Sequence, residues 1–188
     1  MKLAIIVPTG DEIKSGVVLD TDSPEILQQL IRRFPNIQAL RMPPLVDDEA
    51  HIEDQLHSIL KHSPDLVVFV GGSGGGHRFS PSLGRDFTQS ALEKQLEIKA
   101  VREIYGKNGH LWCKLLCGKK DGAIIINVPG PYTEAKAAME AFLRCYTPEA
   151  DLNRINEAMA QAMLDQYPPQ TAMIQGESEI SFNHGRAV

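Results

Sequence analysis

The chain has 188 residues, 43% hydrophobic and 23% charged, with a formal net charge of -5, which fits one soluble globular domain with enough apolar material for a core. This acidic balance argues against a sequence-independent nucleic-acid surface, which needs clustered Lys and Arg, but leaves room for a small anion held by main-chain amides. The longest apolar stretches, near Leu3 to Pro8, Leu66 to Val70 and Ala123 to Ile126, fall far short of the roughly 20 residues of a membrane-spanning helix; with no secretory signal and no disulfide framework expected from Cys113, Cys117 and Cys145, cytoplasm is the default.

Lys2 to Val7 reads as a first strand, ended by Pro8 and Gly10. A loop carrying Asp11, Glu12 and Asp20 follows, and then Ser23 stands before Pro24 as an N-cap with proline at the first helical position. Behind it Ile26, Leu27, Leu30, Ile31 and Phe34 recur at helical spacing. Ile37 to Met42 predicts a second strand closed by Pro43-Pro44, and Glu49 to Lys61 a second helix with Ile52, Leu56, Ile59 and Leu60 inward. Asp65 to Val70 is a continuous apolar run of the kind a buried parallel strand shows. Beyond the glycines that follow it, Thr88 to about Leu96 predicts a helix.

Glu97 to Cys117 suggests two strands with a turn at Gly106 to Gly109, and Gly118 to Gly122 a turn into the strand Ala123 to Val128. Pro129-Gly130-Pro131 breaks that strand. Thr133 to Tyr146 is the next expected helix, and Thr147-Pro148 opens another running to about Asp165. Residues 1–169 are therefore expected to form the domain, and Gln170 to Val188, polar and irregular, a tail or arm. Strands alternating with helices indicate a three-layer α/β/α fold with a mostly parallel sheet.

The strand Leu66 to Val70 feeds directly into Gly71-Gly72-Ser73-Gly74-Gly75-Gly76. Glycines there let the backbone turn sharply and aim N–H groups at an anion, at the end of the sheet where α/β folds bind ligands. Neither common phosphate fingerprint is present, since no Gly-Lys-Ser/Thr ends the run and no G-x-G-x-x-G opens the next segment. Acids gather at other expected strand ends: Asp11, Glu12 and Asp20, then Asp47 and Asp48, then Asp86. Parallel strands bring such loops to one edge, where carboxylates beside an anion cradle suit a divalent cation bridging protein and phosphate. The competing reading for Asp47 and Asp48 is that they lead a helix and are favoured by its dipole.

Several segments, in order, resemble the molybdopterin-binding domain of molybdenum-cofactor biosynthesis proteins. They are Pro8-Thr9-Gly10-Asp11-Glu12-Ile13 through Gly16 and Asp20 to Ser23, Val46-Asp47-Asp48, Asp65 to Gly74, and Val128 to Pro131. The opening is closest to the branch shared by molybdenum-insertion proteins and the amino-terminal domain of competence-damage-inducible proteins. In that family G-G-T-G is followed after about three residues by R-D-x-T. Here ten residues, Gly75 to Gly84, separate Gly71-Gly72-Ser73-Gly74 from Arg85-Asp86-Phe87-Thr88. The gapped match implies an insertion of about seven residues and makes Thr88 a helix cap; an ungapped match puts Phe79 at the aspartate position.

The resemblance implies a domain, often trimeric, that binds the phosphate of a pterin or of a related nucleotide. Asp47 and Asp86 would handle Mg2+ and the transferred phosphate, while Gly71, Gly72, Ser73 and Gly74 hold the terminal phosphate with Arg85 as a clamp. Pro129, Gly130 and Pro131 would form the facing wall, with Thr133 or Lys136 at the next helix start. The expected activities are nucleotidyl transfer onto molybdopterin or metal insertion. The alternatives are a pyrophosphatase acting on a nucleotide such as ADP-ribose, and a sensing module that binds without turnover.

Overall fold

The computed structural model describes residues 1–74, 87–169 and 171–176. In chain order the elements are β1 (Leu3–Pro8), α1 (Asp11–Lys14), α2 (Asp22–Arg33), β2 (Gln38–Arg41), α3 (Glu49–Leu60), β3 (Leu66–Val70) and α4 (Thr88–Gln95), followed by β4 (Ile98–Gly106), β5 (Leu111–Lys120), β6 (Ala123–Val128), α5 (Tyr132–Cys145), α6 (Leu152–Leu164) and β7 (Ala172–Gln175). One sheet holds all seven strands in the order β2-β1-β3-β6-β5-β4-β7. The first four strands in that order are parallel, and β5, β4 and β7 add on antiparallel. No helix among the described residues is long and apolar enough to cross a membrane.

The central strands are apolar on both faces because helices cover both. Ala4, Ile6, Leu66, Val68, Val70, Ile124 and Ile126 pack into one core with Ile26 and Leu30 of α2, Phe142 of α5 and Met159 of α6. Their sequence neighbours Ile5, Val7, Val67, Phe69, Ala123 and Ile125 enter the second core, with Ile52 and Leu56 of α3 and Ala91 and Leu92 of α4. This period-2 split makes three layers. Full burial of each Val, Ile or Phe contributes about 1.5–3 kcal/mol, so β3, completely buried, anchors both cores.

The register aligns Pro8 with Val70 and Val70 with Val128, so β1, β3 and β6 end at one level. The chain leaving β1 turns to the α2 face, and the chain joining β3 to β4 carries α4 on the other face. A crevice opens where neighbouring strands send their connections to opposite sides.

Local departures from expectation each have a physical reason. Ser23 lies inside α2, where Asp20 Oδ1 accepts from its N–H at 3.0 Å, so Asp20 holds the helix start. Ile31 is exposed, and Ile26 and Leu30 carry the buried stripe. Thr88 is the first residue of α4 and makes no cap; its hydroxyl donates to Thr9 Oγ1 at 3.0 Å. β5 runs on through Gly118 to Lys120, and the turn is Asp121-Gly122, at φ 49° and 83°. α6 begins at Leu152, capped by the Asp151 side chain, which accepts from the Asn153 N–H. Residues 172–175 of the expected tail form β7 on the β4 edge.

Candidate functional site

Beyond the ends of β1, β3 and β6 lies a cavity of about 750 Å³. Its floor is the loop after β3. Gly71 and Gly72 adopt φ 95° and 60°, the left-handed region that costs other L-residues about 1–2 kcal/mol. Space also demands glycine: a Cβ on Gly71 would lie 2.8 Å from the Thr9 carbonyl oxygen, and one on Gly72 2.1 Å from Thr88 Oγ1. The loop is tied down from three sides. Gly71 N–H donates to Val128 O at 3.1 Å, Ser73 O accepts from Lys114 N–H at 2.7 Å, and Gly72 O accepts from Gln89 N–H at 3.2 Å.

These ties use carbonyl groups and the first amide. Among the described residues, the N–H groups of Gly72, Ser73 and Gly74 donate to no main-chain acceptor. Ser73 is itself buried and lines the cavity. Behind the loop, Asn127 of β6 holds β5 where the two strands part: its Oδ1 accepts from Leu116 N–H at 2.6 Å and its Nδ2 donates to Lys114 O at 2.9 Å. Lys114 in turn holds Ser73, so a buried amide in the sheet sets the floor of the site.

The facing wall is Pro129, Gly130 and Pro131, where β6 turns into α5. A Cβ on Gly130 would come within 3.8 Å of Gly71 Cα, so the two loops approach closely. Thr133 and Lys136 are not among the residues that line the cavity; Glu134, from the first turn of α5, is. The Lys136 ammonium instead points toward Glu25, at 4.0 Å.

Acids from three stretches of sequence meet here: Glu12, Asp20, Asp22, Asp47 and Glu134 all line the cavity. Asp47 and Asp48, adjacent in sequence, divide two tasks. Asp48 is the N-cap of α3, accepting from His51 N–H at 2.8 Å. Asp47 faces the cavity, its Oδ1 accepting from Phe87 N–H at 3.1 Å while its own N–H donates to Asp11 Oδ1 at 3.2 Å. Arg85 and Asp86 lie outside the described residues.

Burial alone would raise the Asp20 carboxyl, but the Ser23 N–H and the Arg41 guanidinium, 2.7 Å away, more than offset it and hold it below the usual range. Burial, reinforced by Asp20, pushes Asp22 up to about 6. Glu134 is raised by burial, even though the Tyr167 hydroxyl donates to its Oε1. No Lys or Arg stands among the described residues lining the cavity.

Sequence reasoning singled out the glycine loop, Asp47 and the proline-glycine wall, and missed Asp22, Trp112, Glu134 and Tyr167. Asp22 stands inside the family-like segment Asp20 to Ser23 without a role of its own, and Glu134 lies just past the proline-glycine turn with no motif around it. Trp112 and Tyr167 carried no site signal, because they reach the cavity through the packing of α6 on β5.

A family model described as "Probable molybdopterin binding domain" matches residues 5–149. The Pyrococcus horikoshii protein PH0439 is 26% identical over 108 residues, covering 55% of this chain and 40% of its own length, so the chain spans well under half of that relative. The fold is similar to that of the molybdopterin biosynthesis enzyme MoaB from Thermus thermophilus, with a TM-score of 0.59 and 19% identity over 87% of this chain and 97% of that one. It is also similar to a CinA protein of unknown function from Thermoplasma acidophilum, with a TM-score of 0.58 and 19% identity over 76% and 96%. The family match runs from the first strand through α5, the span that builds the glycine loop, Asp47 and the proline-glycine wall, and the chain belongs to the molybdopterin-binding domain family.

Proposed function

We propose that the cavity binds molybdopterin or a nucleotide-linked form of it in molybdenum-cofactor biosynthesis, with the terminal phosphate on the N–H groups of Gly72, Ser73 and Gly74. The observation that supports this most is the pinned loop itself, whose carbonyls are tied to α4 and β5 while, among the described residues, three successive amides have no main-chain acceptor. Successive N–H groups in such a turn form a concave anion site.

The acidic lining supports a divalent cation as the phosphate's companion. Magnesium takes one or two carboxylates and fills its shell with water and substrate phosphate; among the described residues no larger group of metal-ligating side chains gathers. Asp47 is the carboxylate we assign to it, with Asp86 as the proposed second. When bound, the cation would neutralise phosphate charge and polarise the phosphorus for nucleotidyl transfer or metal insertion. The protein's part is positional: the loop amides orient the phosphate, and the Pro129-Gly130-Pro131 wall closes the opposite side. A homotrimer is the assembly proposed, checked by sedimentation equilibrium.

The deciding experiment is equilibrium binding of molybdopterin with magnesium and with EDTA. Magnesium-strengthened binding that Asp47→Asn weakens supports the proposal, and no binding under either condition overturns it. Release of AMP from ADP-ribose, lost in Asp47→Asn, would replace transfer with hydrolysis as the reaction.

A further inference from the structure

The cavity has a second end, unlike the first. Leu111 and Trp112 from β5, Glu134 from α5, and Met163 and Tyr167 from α6 and the turn behind it line the same space as the glycine loop. The Trp112 and Tyr167 rings sit 5.1 Å apart at 57°. Glu134, 7% exposed, accepts from the Tyr167 hydroxyl. The indole has a cut-out seat: a Cβ on Gly106 would fall 2.3 Å from Trp112 Nε1, so only glycine in β4 leaves the ring its place. Met163 and Tyr167 also lie beyond residue 149, where the family match ends.

Two half-buried aromatic rings beside an oriented carboxylate have a defined chemistry. The ring faces receive a flat π-system, and the carboxylate accepts from N–H groups on that system's edge. A bare phosphate could use neither.

We propose that Trp112, Tyr167 and Glu134 form a subsite for a planar N-heterocycle bearing N–H donors, carried by the same ligand whose phosphate rests on the glycine loop. This rests on reading that loop as the phosphate end. Guanine and a pterin share the required edge, an amide-like N–H beside an exocyclic amine, and the experiment separates them. Because the rings come partly from outside the family segment, this end selects which ligand this chain accepts, while the loop end supplies the feature held in common.

Trp112 is the single tryptophan of the chain, so its emission reports on this subsite without mutation. The protein, with magnesium, is titrated with GMP and with ribose 5-phosphate under excitation at the red edge of the indole band. Binding of 6-hydroxymethylpterin is followed by calorimetry, where its own absorbance does not interfere. Saturable change of Trp112 emission by GMP, with ribose 5-phosphate displacing GMP but leaving emission of the ligand-free protein unchanged, supports the subsite and assigns it a nucleobase. Binding of the pterin in place of GMP, weakened in the variants below, supports the subsite and assigns it a pterin.

Tyr167→Leu should weaken the heterocycle about tenfold and leave ribose 5-phosphate within about twofold. Glu134→Gln, which keeps an acceptor for the Tyr167 hydroxyl, should weaken GMP without lowering the melting temperature, and so covers the case in which Tyr167→Leu does not fold. Binding of ribose 5-phosphate with no response to either heterocycle overturns the subsite and spares the phosphate reading. Failure of all three ligands overturns both. Heterocycle binding that neither variant alters shows that the ring pair only seals α6 against β5, and overturns the subsite as well.

Discussion

Replacing Gly72 with alanine tests whether the loop geometry is what holds the site together. The new Cβ would lie 2.1 Å from Thr88 Oγ1 and 2.7 Å from Thr88 Cβ. That obstacle cannot swing aside, because Thr88 is completely buried in the first turn of α4 and its hydroxyl donates to Thr9. The left-handed backbone at φ 60° costs an L-residue about 1–2 kcal/mol. Overpacking against a fixed neighbour adds about 1–3 kcal/mol. The sum, about 2–5 kcal/mol, corresponds to a fall in Tm of about 4–20 °C for a domain of this size.

Thermal and urea melts of Gly72→Ala, Thr88→Gly and the double variant separate the two contributions. Thr88→Gly removes the Cβ and the hydroxyl, so the double variant should be more stable than the two single losses predict, by at least about 1 kcal/mol. The backbone cost at position 72 should persist. A Gly72→Ala protein that melts with the parent, or strict additivity in the double variant, would refute the close approach of the loop to α4.

Three further outcomes follow from the same geometry. Asn127→Leu should lose about 2–4 kcal/mol in urea midpoints, because it orphans the buried Leu116 N–H and Lys114 carbonyl; a loss under about 0.5 kcal/mol would mean the amide bridge is dispensable. Asp22 has a folded-state value of about 6 against an ordinary 3.8, so the folded chain binds that proton more tightly than the unfolded one. Its charge therefore costs nothing below about pH 4, costs progressively more between about pH 4 and 6, and costs a constant amount above that. Asp22→Asn should gain on the order of 1 kcal/mol at pH 8, discounted for the open cavity, and nothing at pH 4; a pH-independent difference sinks this. Asp47→Asn should melt close to the parent, since Asn keeps an acceptor for Phe87 N–H, whereas Asp47→Ala should lose about 1 kcal/mol. Both should lose magnesium-strengthened ligand binding, and an Asn variant that keeps it removes Asp47 from the cation site.

The parts of this protein that local pattern specifies were legible in its sequence. β3 is an unbroken apolar run because both its faces are covered, and α2, α3 and α5 repeat apolar residues because each covers one face of the sheet. What pattern could not specify were elements that exist by leaning on others. α1 is four residues with none buried, too short for any period. β7 is four residues in a polar stretch that becomes a strand through the open edge of β4.

Glycine can be misread, because one residue type serves two physical purposes. Gly118 looked like the start of a turn, yet a Cβ there would stand 2.8 Å from Ile98 O and from Leu96 Cδ1. It is there to let β4 and Leu96 come close, and β5 runs straight through it. Gly106 likewise makes room for the Trp112 ring. Gly71 and Gly72 were read for backbone freedom and need it, but they also face Thr9 and Thr88 at distances no side chain tolerates.

The same division runs through the cavity. Its loop end comes from residues that follow strand ends, and a parallel sheet gathers strand ends whatever the rest of the chain does, so Gly71 to Gly74 and Asp47 could be placed together from sequence order, with Pro129 to Pro131 added by the family resemblance. Its aromatic end comes from α6 folding back over β5, a consequence of the packing of Ile155, Met159 and Met163 into the α2-side core, and nothing in the spacing of Trp112, Glu134 and Tyr167 announces it. The aromatic end is also where this chain adds residues beyond the family segment. On the proposed subsite, Tyr167 is the residue outside the family segment that meets the ring, so Tyr167→Leu should change ring binding while a phosphate on the loop is kept.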